Sequence, residues 1–283
     1  MRQLIGASKE PGHKGDVKRL IEKISRVCEI DLSSYRLPYV ERRVAARMRV
    51  LRLSSYRQYC QHLDDEPGER ALLMDTLTIN VTDFFRDPSV YRFLGQQVLP
   101  ELIDRKRRSS NRLIRVWAAG CSTGEEPYSL AMSLLEAVGR HGKDVHFSVI
   151  GTDLDVNALE VAKQADYPIA RASHIPKSLQ TKYLEFTDDR FKIRPKVSKH
   201  VRFRPLDLFS GRPVGMVDLI LCRNVFIYFN KDQQEKILDK FLSSLTKGGY
   251  LVLGKSEKMP ASMVSKFESI QGRERVYRKT DGL

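Results

Sequence analysis

The chain contains 283 residues, 41% of them hydrophobic, and carries a formal net charge of +14. This length is compatible with one large domain or two ordinary ones, and the apolar content is enough for a buried core. No apolar run approaches the roughly 20 residues needed to span a bilayer, and the polar residues 1–18 lack the character of a secretory signal. The four cysteines lie far apart without a CxxC pair. We therefore expect reduced thiols, no metal site and a cytoplasmic location, with a monomer as the default.

The first part of the chain is predicted to be helical. Residues 1–13 contain glycine and proline with few apolar side chains, and we interpret them as a flexible tail. From Asp16 to about Phe93, apolar residues recur at spacings of three and four, so residues 14–93 are predicted to form an all-helical domain. We interpret residues 94–112, which end in a basic and polar run, as a linker.

The excess positive charge is concentrated in this helical part. Residues 14–57 carry twelve Lys/Arg against five Asp/Glu, an excess of seven that is half of the net charge of +14. Nucleic acid, an acidic lipid surface or an acidic protein could each use such a face, and a solvated basic surface would give the same pattern.

From residue 113 to residue 283, predicted strands and helices alternate, which is typical of a mostly parallel sheet with helices on both faces. Near-continuous apolar runs predict strands at 114–119, 146–152, 217–222 and 250–254. Two further short runs, 267–270 and 275–278, are predicted to pair in antiparallel fashion. Residues 183–206 interrupt the alternation, and we predict a small antiparallel β-subdomain there.

The most informative stretch joins the first predicted strand to a helix. The strand ends at Gly120, a loop of small residues follows, and Glu125-Glu126-Pro127 opens the helix. Gly120 and Gly124 permit a tight turn and close approach to a ligand. A strand, glycine loop and helix form a nucleotide-type cofactor site, but the spacing is not that of dinucleotide sites and the glutamates would repel a phosphate. S-adenosylmethionine (SAM) has an ammonium and a sulfonium and no phosphate, so it fits these residues.

Polar side chains also follow the other predicted strands. Asp153 and Asp155 end the second strand, where one carboxylate can accept both hydroxyls of a ribose and the other can cap the next helix. Asp207 follows a short β-like run and could line an adenine pocket or lie in a surface loop. Arg223 and Asn224 come directly after a buried strand, where they are costly unless paired.

A second candidate segment lies between the helical and the α/β parts, where ligand clefts commonly occur. Asn80, Thr82 and Arg86 are spaced there by two and four residues. By spacing alone, these side chains could equally cap a helix or pair with neighbouring aspartates.

Three stretches together resemble one protein family. They are Asn80-Val-Thr-Asp-Phe-Phe-Arg86, Ala119-Gly-Cys-Ser-Thr-Gly-Glu-Glu-Pro-Tyr-Ser129 and Cys222-Arg-Asn-Val-Phe-Ile-Tyr228. Gly151-Thr-Asp-Leu-Asp155 and Leu253-Gly-Lys-Ser-Glu257 match as well. Over roughly residues 15–280, the chain resembles the CheR family of chemotaxis receptor methyltransferases.

The resemblance implies a SAM-dependent O-methyltransferase that modifies glutamates on the cytoplasmic helical bundle of bacterial chemoreceptors and releases S-adenosylhomocysteine. It implies a class I, Rossmann-like methyltransferase domain with an N-terminal helical domain and an inserted β-subdomain. Arg86 and Tyr228 would be the catalytic pair. The cofactor would be bound by Asn80, Thr82, Arg86, Gly120, one of Glu125 and Glu126, Asp153, Asp207, Leu208, Arg223 and Asn224.

The resemblance also gives the basic helix a partner, because Arg43, Arg47 and Arg49 could dock along an acidic receptor helix. Some relatives grip a receptor tail peptide with a glycine-containing loop in the β-subdomain. Here Thr187-Asp-Asp-Arg190 is short and lacks glycine, which favours a tail-independent enzyme.

Two alternatives compete with this hypothesis. A nucleic-acid methyltransferase would suit the charge, but residues 40–53 have no aromatic side chain among their arginines, unlike most single-strand binders. A non-catalytic SAM-sensing module is disfavoured because Arg86, Glu125, Asp153 and Tyr228 are all present.

Overall fold

The computed structural model describes residues 11–28, 30–77 and 81–280, with the backbone alone for residues 11–14. Most of the tail expected at residues 1–13 falls outside this part, and the first helix already begins at Pro11. Asn80, the first residue of one matched stretch, also lies outside the described residues. None of the helices in these ranges has both the length and the apolar composition that crossing a bilayer requires.

The chain divides into two compact units. The first contains the described residues before 80 together with Tyr228–Asn230, and the second contains the remainder. The helices of the first unit are α1 (Pro11–Val27), α2 (Leu37–Leu51), α3 (Tyr56–Asp65) and α4 (Pro67–Leu77).

Local signals explain where these helices start and which face they bury. Pro38 lies in the first turn of α2, where its missing N–H is not needed. Ser55 and Gln58 form a reciprocal capping box at the start of α3, which satisfies two otherwise unpaired backbone donors. The apolar positions that recur at helical spacing are fully buried; they include Leu20, Ile24, Val44 and Leu63. The predicted all-helical unit is confirmed.

The helical unit ends earlier than predicted, and the predicted linker is largely helical. Three consecutive segments belong to the second unit: α5 (Pro88–Phe93), a π-helical turn (Leu94–Val98) and α6 (Leu99–Arg107). Leu94, Leu99 and Leu102 are fully buried in the same core as the first strand. The linker interpretation of 94–112 is therefore wrong for residues 94–107. The basic run at the end of α6 suggested a linker, although the preceding residues form the apolar face of a buried helix.

The second unit is built on a seven-stranded sheet. Its strands are β1 (Leu113–Ala119), β2 (His146–Asp153), β6 (Val201–Pro205), β7 (Val217–Cys222), β8 (Leu245–Leu253), β9 (Phe267–Gln271) and β10 (Val276–Lys279). Their order in the sheet is β6-β2-β1-β7-β8-β10-β9. The five strands from β6 to β8 are parallel, and β10 runs antiparallel to both of its neighbours. The main helices of this unit are α7 (Glu125–His141), α8 (Val156–Gln164) and α11 (Lys231–Ser244).

The strand order places a topological switch point between β1 and β7. From β1 the chain proceeds through β2 to β6 on one side, and it then returns to place β7 on the other side. In open α/β sheets, ligands bind beyond the carboxyl ends of the strands at such a point. A ligand is therefore expected beside the loops that follow β1 and β7.

A separate three-stranded sheet confirms a small antiparallel insertion, but its membership differs from the prediction of 183–206. It consists of β3 (Asp166–Pro168), β4 (Leu184–Phe186) and β5 (Arg190–Ile193), in the order β3-β5-β4. A short helix, α9 (Lys177–Tyr183), lies between β3 and β4, and a second, α10 (Pro195–Ser198), follows β5. The run 201–204 instead forms β6, which pairs in parallel with β2. The sequence of a short β-like run does not show which strand it pairs with. The run 201–204 was therefore assigned to the small sheet because it is adjacent in sequence to the other short runs.

Arg47 has a partner within the helical unit, which corrects its expected role in docking. Its guanidinium donates two hydrogen bonds to Glu69, from Nε at 2.8 Å and from Nη2 at 2.5 Å. The Tyr59 hydroxyl donates a third to the same carboxylate at 2.8 Å, and Glu69 is buried. Arg47 therefore holds α2 to α4 and does not present a free charge to a partner.

We expect Glu69→Ala to lower the free energy of unfolding by about 3–5 kcal/mol, because it leaves the Arg47 charge poorly compensated. Chemical unfolding measures this, with Glu66→Ala as the control because Glu66 is exposed.

Burial alone would raise the pKa of Glu69, but the bonds from Arg47 and Tyr59 outweigh it and lower the pKa. The contribution is thus complete above the ordinary carboxyl pKa of 4.5 and disappears as the pH falls through the lowered value. Equal unfolding free energies of wild type and Glu69→Ala at pH 7 would contradict this.

Candidate active site

The loop after β1 and the loop after β7 approach each other closely at the switch point. Gly120 and Gly124 have φ angles of 73° and 93°, a region that favours glycine. A Cβ atom on Gly120 would lie 2.5 Å from Cγ2 of Val225. The backbone N–H groups of Gly120 and Cys121 both donate to the carbonyl of Thr152, at 2.8 and 3.0 Å. Glycine is therefore required where the two loops meet beside the end of β2.

Glu125 is a buried carboxylate with incomplete charge compensation. Only 1% of the residue is exposed, and its Oε2 accepts a hydrogen bond from the Thr123 hydroxyl at 2.7 Å. Nη1 of Arg171 lies 3.7 Å from Oε1. Burial raises the pKa of Glu125 despite the Thr123 bond and the charge of Arg171. A cationic ligand would stabilise the ionised form here.

Glu126, by contrast, is paired with an arginine. Nη1 of Arg223 donates to Glu126 at 3.0 Å, and Nη2 donates to Asp87 at 2.5 Å. The same guanidinium lies 5.9 Å from the ring centre of Tyr91. Burial raises the pKa of Glu126, and the charge of Arg223 opposes the shift. The pairing that a buried Arg223 requires is thus supplied by carboxylates on two other segments.

The two aspartates at the end of β2 have different roles. Asp155 caps α8, because its Oδ1 accepts from the N–H of Ala158 at 3.0 Å. Asp153 accepts from the N–H of Ser122 at 2.7 Å and from that of Asp155 at 3.0 Å. Burial raises the pKa of Asp153, and these backbone bonds oppose the shift. The prediction that one of the pair caps the helix is confirmed, and the Asp153 carboxylate also interacts with the backbone N–H of Leu154.

Thr82 and its neighbour Asp83 accept hydrogen bonds from Arg171, which lies in a short 3₁₀ helix after β3. Nη1 of Arg171 donates to the carbonyl of Thr82 at 2.5 Å and to Asp83 at 3.1 Å. Because Glu125 lies within 3.7 Å of the same nitrogen, one guanidinium connects this segment to the start of α7.

Arg86 is half-buried in the same segment. Its Nη1 donates to the carbonyl of Val81 at 2.7 Å, and its charge opposes the raised pKa of Glu126. The backbone N–H of Phe85 donates to the Ser129 hydroxyl on α7 at 2.9 Å. Arg86 therefore lies next to the helix that carries the two glutamates.

Glu257 fixes the loop after β7. Its carboxylate accepts backbone N–H bonds from Gly254 at 2.6 Å, Phe226 at 2.7 Å and Asn224 at 3.2 Å. Asn224 adopts a φ of 61°, and its Oδ1 is buried without a hydrogen-bond partner in the described part of the chain. Burial raises the pKa of Glu257, against the effect of the backbone bonds. An unpaired buried acceptor beside the switch point fits a ligand that donates hydrogen bonds.

The Asp207 carboxylate closes its own turn. It accepts from the N–H of Phe209 at 2.8 Å and from the hydroxyl of Ser210 at 2.7 Å. The ammonium of Lys240 donates to the carbonyl of Leu208 at 3.0 Å. Asp207 thus supports the loop that follows β6, as the surface-loop alternative predicts, and orients the backbone around Leu208.

The remaining candidate residues lie in the helical unit. Tyr228 is half-buried there, and its carbonyl accepts from the N–H of Arg36 at 2.9 Å. Arg49 is exposed, and Arg43 is half-buried with its guanidinium 5.5 Å from the ring centre of Tyr39. Of the three arginines proposed for docking, only Arg43 and Arg49 remain candidates.

The structure thus brings together most of the predicted residues of the second unit, and it adds partners that sequence reasoning missed. Arg171 was missed because it lies 89 residues from Thr82 and in no recognisable motif. Glu257 was matched only as part of a motif, without a role. Its position three residues after Gly254, at the end of a buried strand, was the available signal.

The parallel sheet, the glycine loop at the switch point and the buried carboxylates around it define a SAM-dependent methyltransferase of class I. Residues 80–276 match the family described as CheR methyltransferase, SAM binding domain. Residues 15–78 match the corresponding all-alpha domain. The chain belongs to the CheR methyltransferase family, and its methyl donor is SAM.

Curated relatives agree with this assignment. The chain is 34% identical to a chemotaxis protein methyltransferase of Borreliella burgdorferi, over 86% of this chain and 88% of the relative. It is 34% identical to chemotaxis protein methyltransferase 2 of Pseudomonas aeruginosa, over 86% of each chain. A third similar protein is the chemotaxis protein methyltransferase of Listeria monocytogenes, with 34% identity over 83% of this chain and 87% of the relative.

We expect Glu257→Ala to weaken SAM binding about tenfold, which corresponds to 1.4 kcal/mol, because three backbone donors lose their acceptor and the Asn224 loop loosens. Glu257→Gln keeps one acceptor oxygen and should show a smaller loss. Calorimetric titration with SAM measures both, with Glu268→Ala as the control because Glu268 is exposed. Wild-type affinity in Glu257→Ala would contradict the role of this carboxylate.

Proposed function

We propose that this enzyme transfers the SAM methyl group to glutamate side chains on the cytoplasmic helical bundle of bacterial chemoreceptors, and that it acts in the cytoplasm. The observation that carries the proposal is the cluster of buried carboxylates around the switch point, in a domain that matches the family's SAM-binding domain. The names of the relatives support a role in chemotaxis. The nucleic-acid and non-catalytic alternatives have no corresponding support.

The residues of the second unit fit this methyl donor. Glu125 suits the ammonium group because its buried charge is only weakly compensated, whereas Glu126 already faces Arg223. Asp153 ends the second strand of the parallel sheet and suits the ribose, and the turn at Asp207 and Leu208 lies beyond the neighbouring strand for the adenine. Gly120 permits the close approach of the loop that carries Val225 and Asn224, and Asn224 offers an unpaired acceptor. We also retain Asn80, Thr82 and Arg223 as lining residues.

SAM supplies a methyl group that is bonded to a cationic sulfur. When the methyl group is transferred, the sulfur leaves as part of a neutral thioether. The substrate glutamate is already ionised near pH 7, so the protein need not remove a proton. In this proposal Arg86 orients the incoming carboxylate and Tyr228 binds its second oxygen, which leaves one lone pair free to attack the methyl carbon. Positioning of this kind can account for about 7–11 kcal/mol of a barrier.

The basic face of α2 is proposed to guide the receptor. Arg43 and Arg49 are the candidates that remain for contact with an acidic helix, because Arg47 is bound to Glu69. Charges of this kind accelerate encounter and are screened over about 10 Å at 0.1 M salt. Recognition at this face should therefore weaken as salt rises.

The enzyme is proposed not to need a receptor tail peptide. The strands β4 and β5 are joined by three residues, 187–189, and the N–H of Thr187 donates to the carbonyl of Arg190 at 2.9 Å. This closed and glycine-free hairpin offers no extended loop for gripping a peptide.

The functional test is transfer of labelled methyl from SAM to receptor cytoplasmic fragments that lack the C-terminal tail. We expect wild-type enzyme to label glutamates in these fragments, and Arg86→Ala to lose at least about 100-fold in turnover because the carboxylate is no longer oriented. SAM affinity should fall much less. Arg92→Ala serves as the control because Arg92 is exposed. Labelling of RNA in place of receptor would overturn the proposal, and full turnover by Arg86→Ala would remove that residue from it.

The two glutamates should separate in a second experiment. Glu125→Gln should weaken SAM binding at least about tenfold and raise the melting temperature, because a buried charge is removed. Glu126→Gln should lower the melting temperature, because Arg223 loses a partner, with a smaller effect on affinity. Because the pKa of Glu125 is raised, SAM affinity should decline as the pH falls through that value. The reverse pattern would assign the ammonium to Glu126.

A further inference from the structure

The segment Tyr228–Asn230 leaves the loop after β7 and packs as part of the helical unit. The backbone N–H of Arg36 donates to the carbonyl of Tyr228 at 2.9 Å, and its Nε donates to the carbonyl of Phe229 at 3.0 Å. Phe229 also forms an antiparallel bridge with Tyr35. The side-chain amide of Asn230 donates to the carbonyl of Tyr35 at 3.2 Å. The residues that precede α2 thus fix the main chain of this segment.

The Tyr228 ring is held by a second aromatic ring. Its centre lies 4.8 Å from that of Tyr39, with 39° between the ring planes. Tyr39 lies in the first turn of α2, is buried, and donates from its hydroxyl to the carbonyl of Leu77 at 2.5 Å. The guanidinium groups of Arg42 and Arg43 lie 5.9 and 5.5 Å from its ring centre. Tyr39 is therefore itself fixed at both its hydroxyl and its face.

We propose that Tyr39 is a positioning residue for methyl transfer and acts by fixing the orientation of the Tyr228 ring. This inference rests on the proposed function, in which the Tyr228 hydroxyl binds the substrate carboxylate. A tyrosine hydroxyl is displaced by several ångströms when its side chain changes rotamer, so its usefulness depends on what packs against the ring. Without the Tyr39 ring, the neighbouring main chain still holds the Tyr228 backbone, but the Tyr228 ring loses its contact with the Tyr39 ring.

The same geometry connects substrate docking to this tyrosine. The helix α2 carries Tyr39 at its start and the half-buried Arg43 one turn later, and Arg43 contacts the Tyr39 ring. An acidic helix that engages Arg43 would therefore act on the side chain that supports Tyr228. Positioning of the ring and recognition of the partner thus share one helix.

The test compares Tyr39→Leu with Tyr39→Phe in methyl transfer to receptor fragments. Tyr39→Phe retains the aromatic contact and loses only the hydroxyl bond to the carbonyl of Leu77, so its kcat should fall much less than that of Tyr39→Leu. Tyr39→Leu removes the aromatic contact and should lower kcat at least tenfold, while the Kd for SAM, measured by calorimetry, stays within twofold. A general loss of structure would instead reduce SAM binding and the melting temperature together with kcat.

A double-mutant cycle with Tyr228→Phe tests the route of the effect. If Tyr39 acts through the Tyr228 hydroxyl, Tyr39→Leu should cause little further loss in the Tyr228→Phe enzyme. If the two substitutions together lower kcat by the product of their separate effects, the inference is overturned. It is also overturned if Tyr39→Leu has wild-type kcat while Tyr228→Phe is inactive. Full turnover by Tyr228→Phe would instead refute the proposed role of Tyr228.

A second variant covers the case in which Tyr39→Leu does not fold. Asn230 is exposed, and Asn230→Ala removes only the bonds of its side-chain amide to the carbonyls of Ser33 and Tyr35. We expect a kcat reduced threefold or more with unchanged SAM affinity, because the Tyr228 segment loosens. An unchanged kcat in Asn230→Ala would count against positioning by the helical unit.

Discussion

The central constraint in the second unit is the burial of carboxylates at the ends of parallel strands. Glu125, Glu126, Asp153 and Glu257 all have raised pKa values, and burial is the main cause in each case. A buried carboxylate is tolerated only when donors or cations face it. The loops after β1, β2, β7 and β8 supply these partners, so much of their conformation follows from this requirement.

Each carboxylate meets the requirement in a different way. Glu257 and Asp153 accept backbone N–H groups and thereby shape loops. Glu126 faces a guanidinium. Glu125 accepts from the Thr123 hydroxyl and a backbone N–H, and its guanidinium is more distant, at 3.7 Å, than the one that faces Glu126 at 3.0 Å. Glu257, Asp153 and Glu126 therefore help to build the site, whereas Glu125 is the candidate for binding a cationic ligand.

The sequence was sufficient for features that depend on local order. The strands β1, β2 and β7, the glycine loop, and a cap by one of the two aspartates could all be predicted, because each is determined by residues within a few positions. The contact with Val225 that requires glycine at position 120 could not be predicted, because the two residues are distant in the chain and only the fold brings them together.

Long-range pairing explains most of the errors. Arg47 has the same sequence character as Arg43 and Arg49, and only the fold reveals its bond to Glu69 on another helix. The strand β6 joins the large sheet although the three strands that precede it in sequence belong to the small one. Similarly, the basic end of α6 suggested a linker, whereas the apolar face of the helix decides its position.

The placement of Tyr228–Asn230 in the helical unit has a consequence for synthesis. Domains generally fold as units, with the N-terminal one first as the chain emerges from the ribosome. Here the groups on residues 33–36 that bind this segment must wait until residue 230 has emerged. The first unit to be translated can therefore be completed only after most of the second unit has been translated, when the proposed catalytic tyrosine has also emerged.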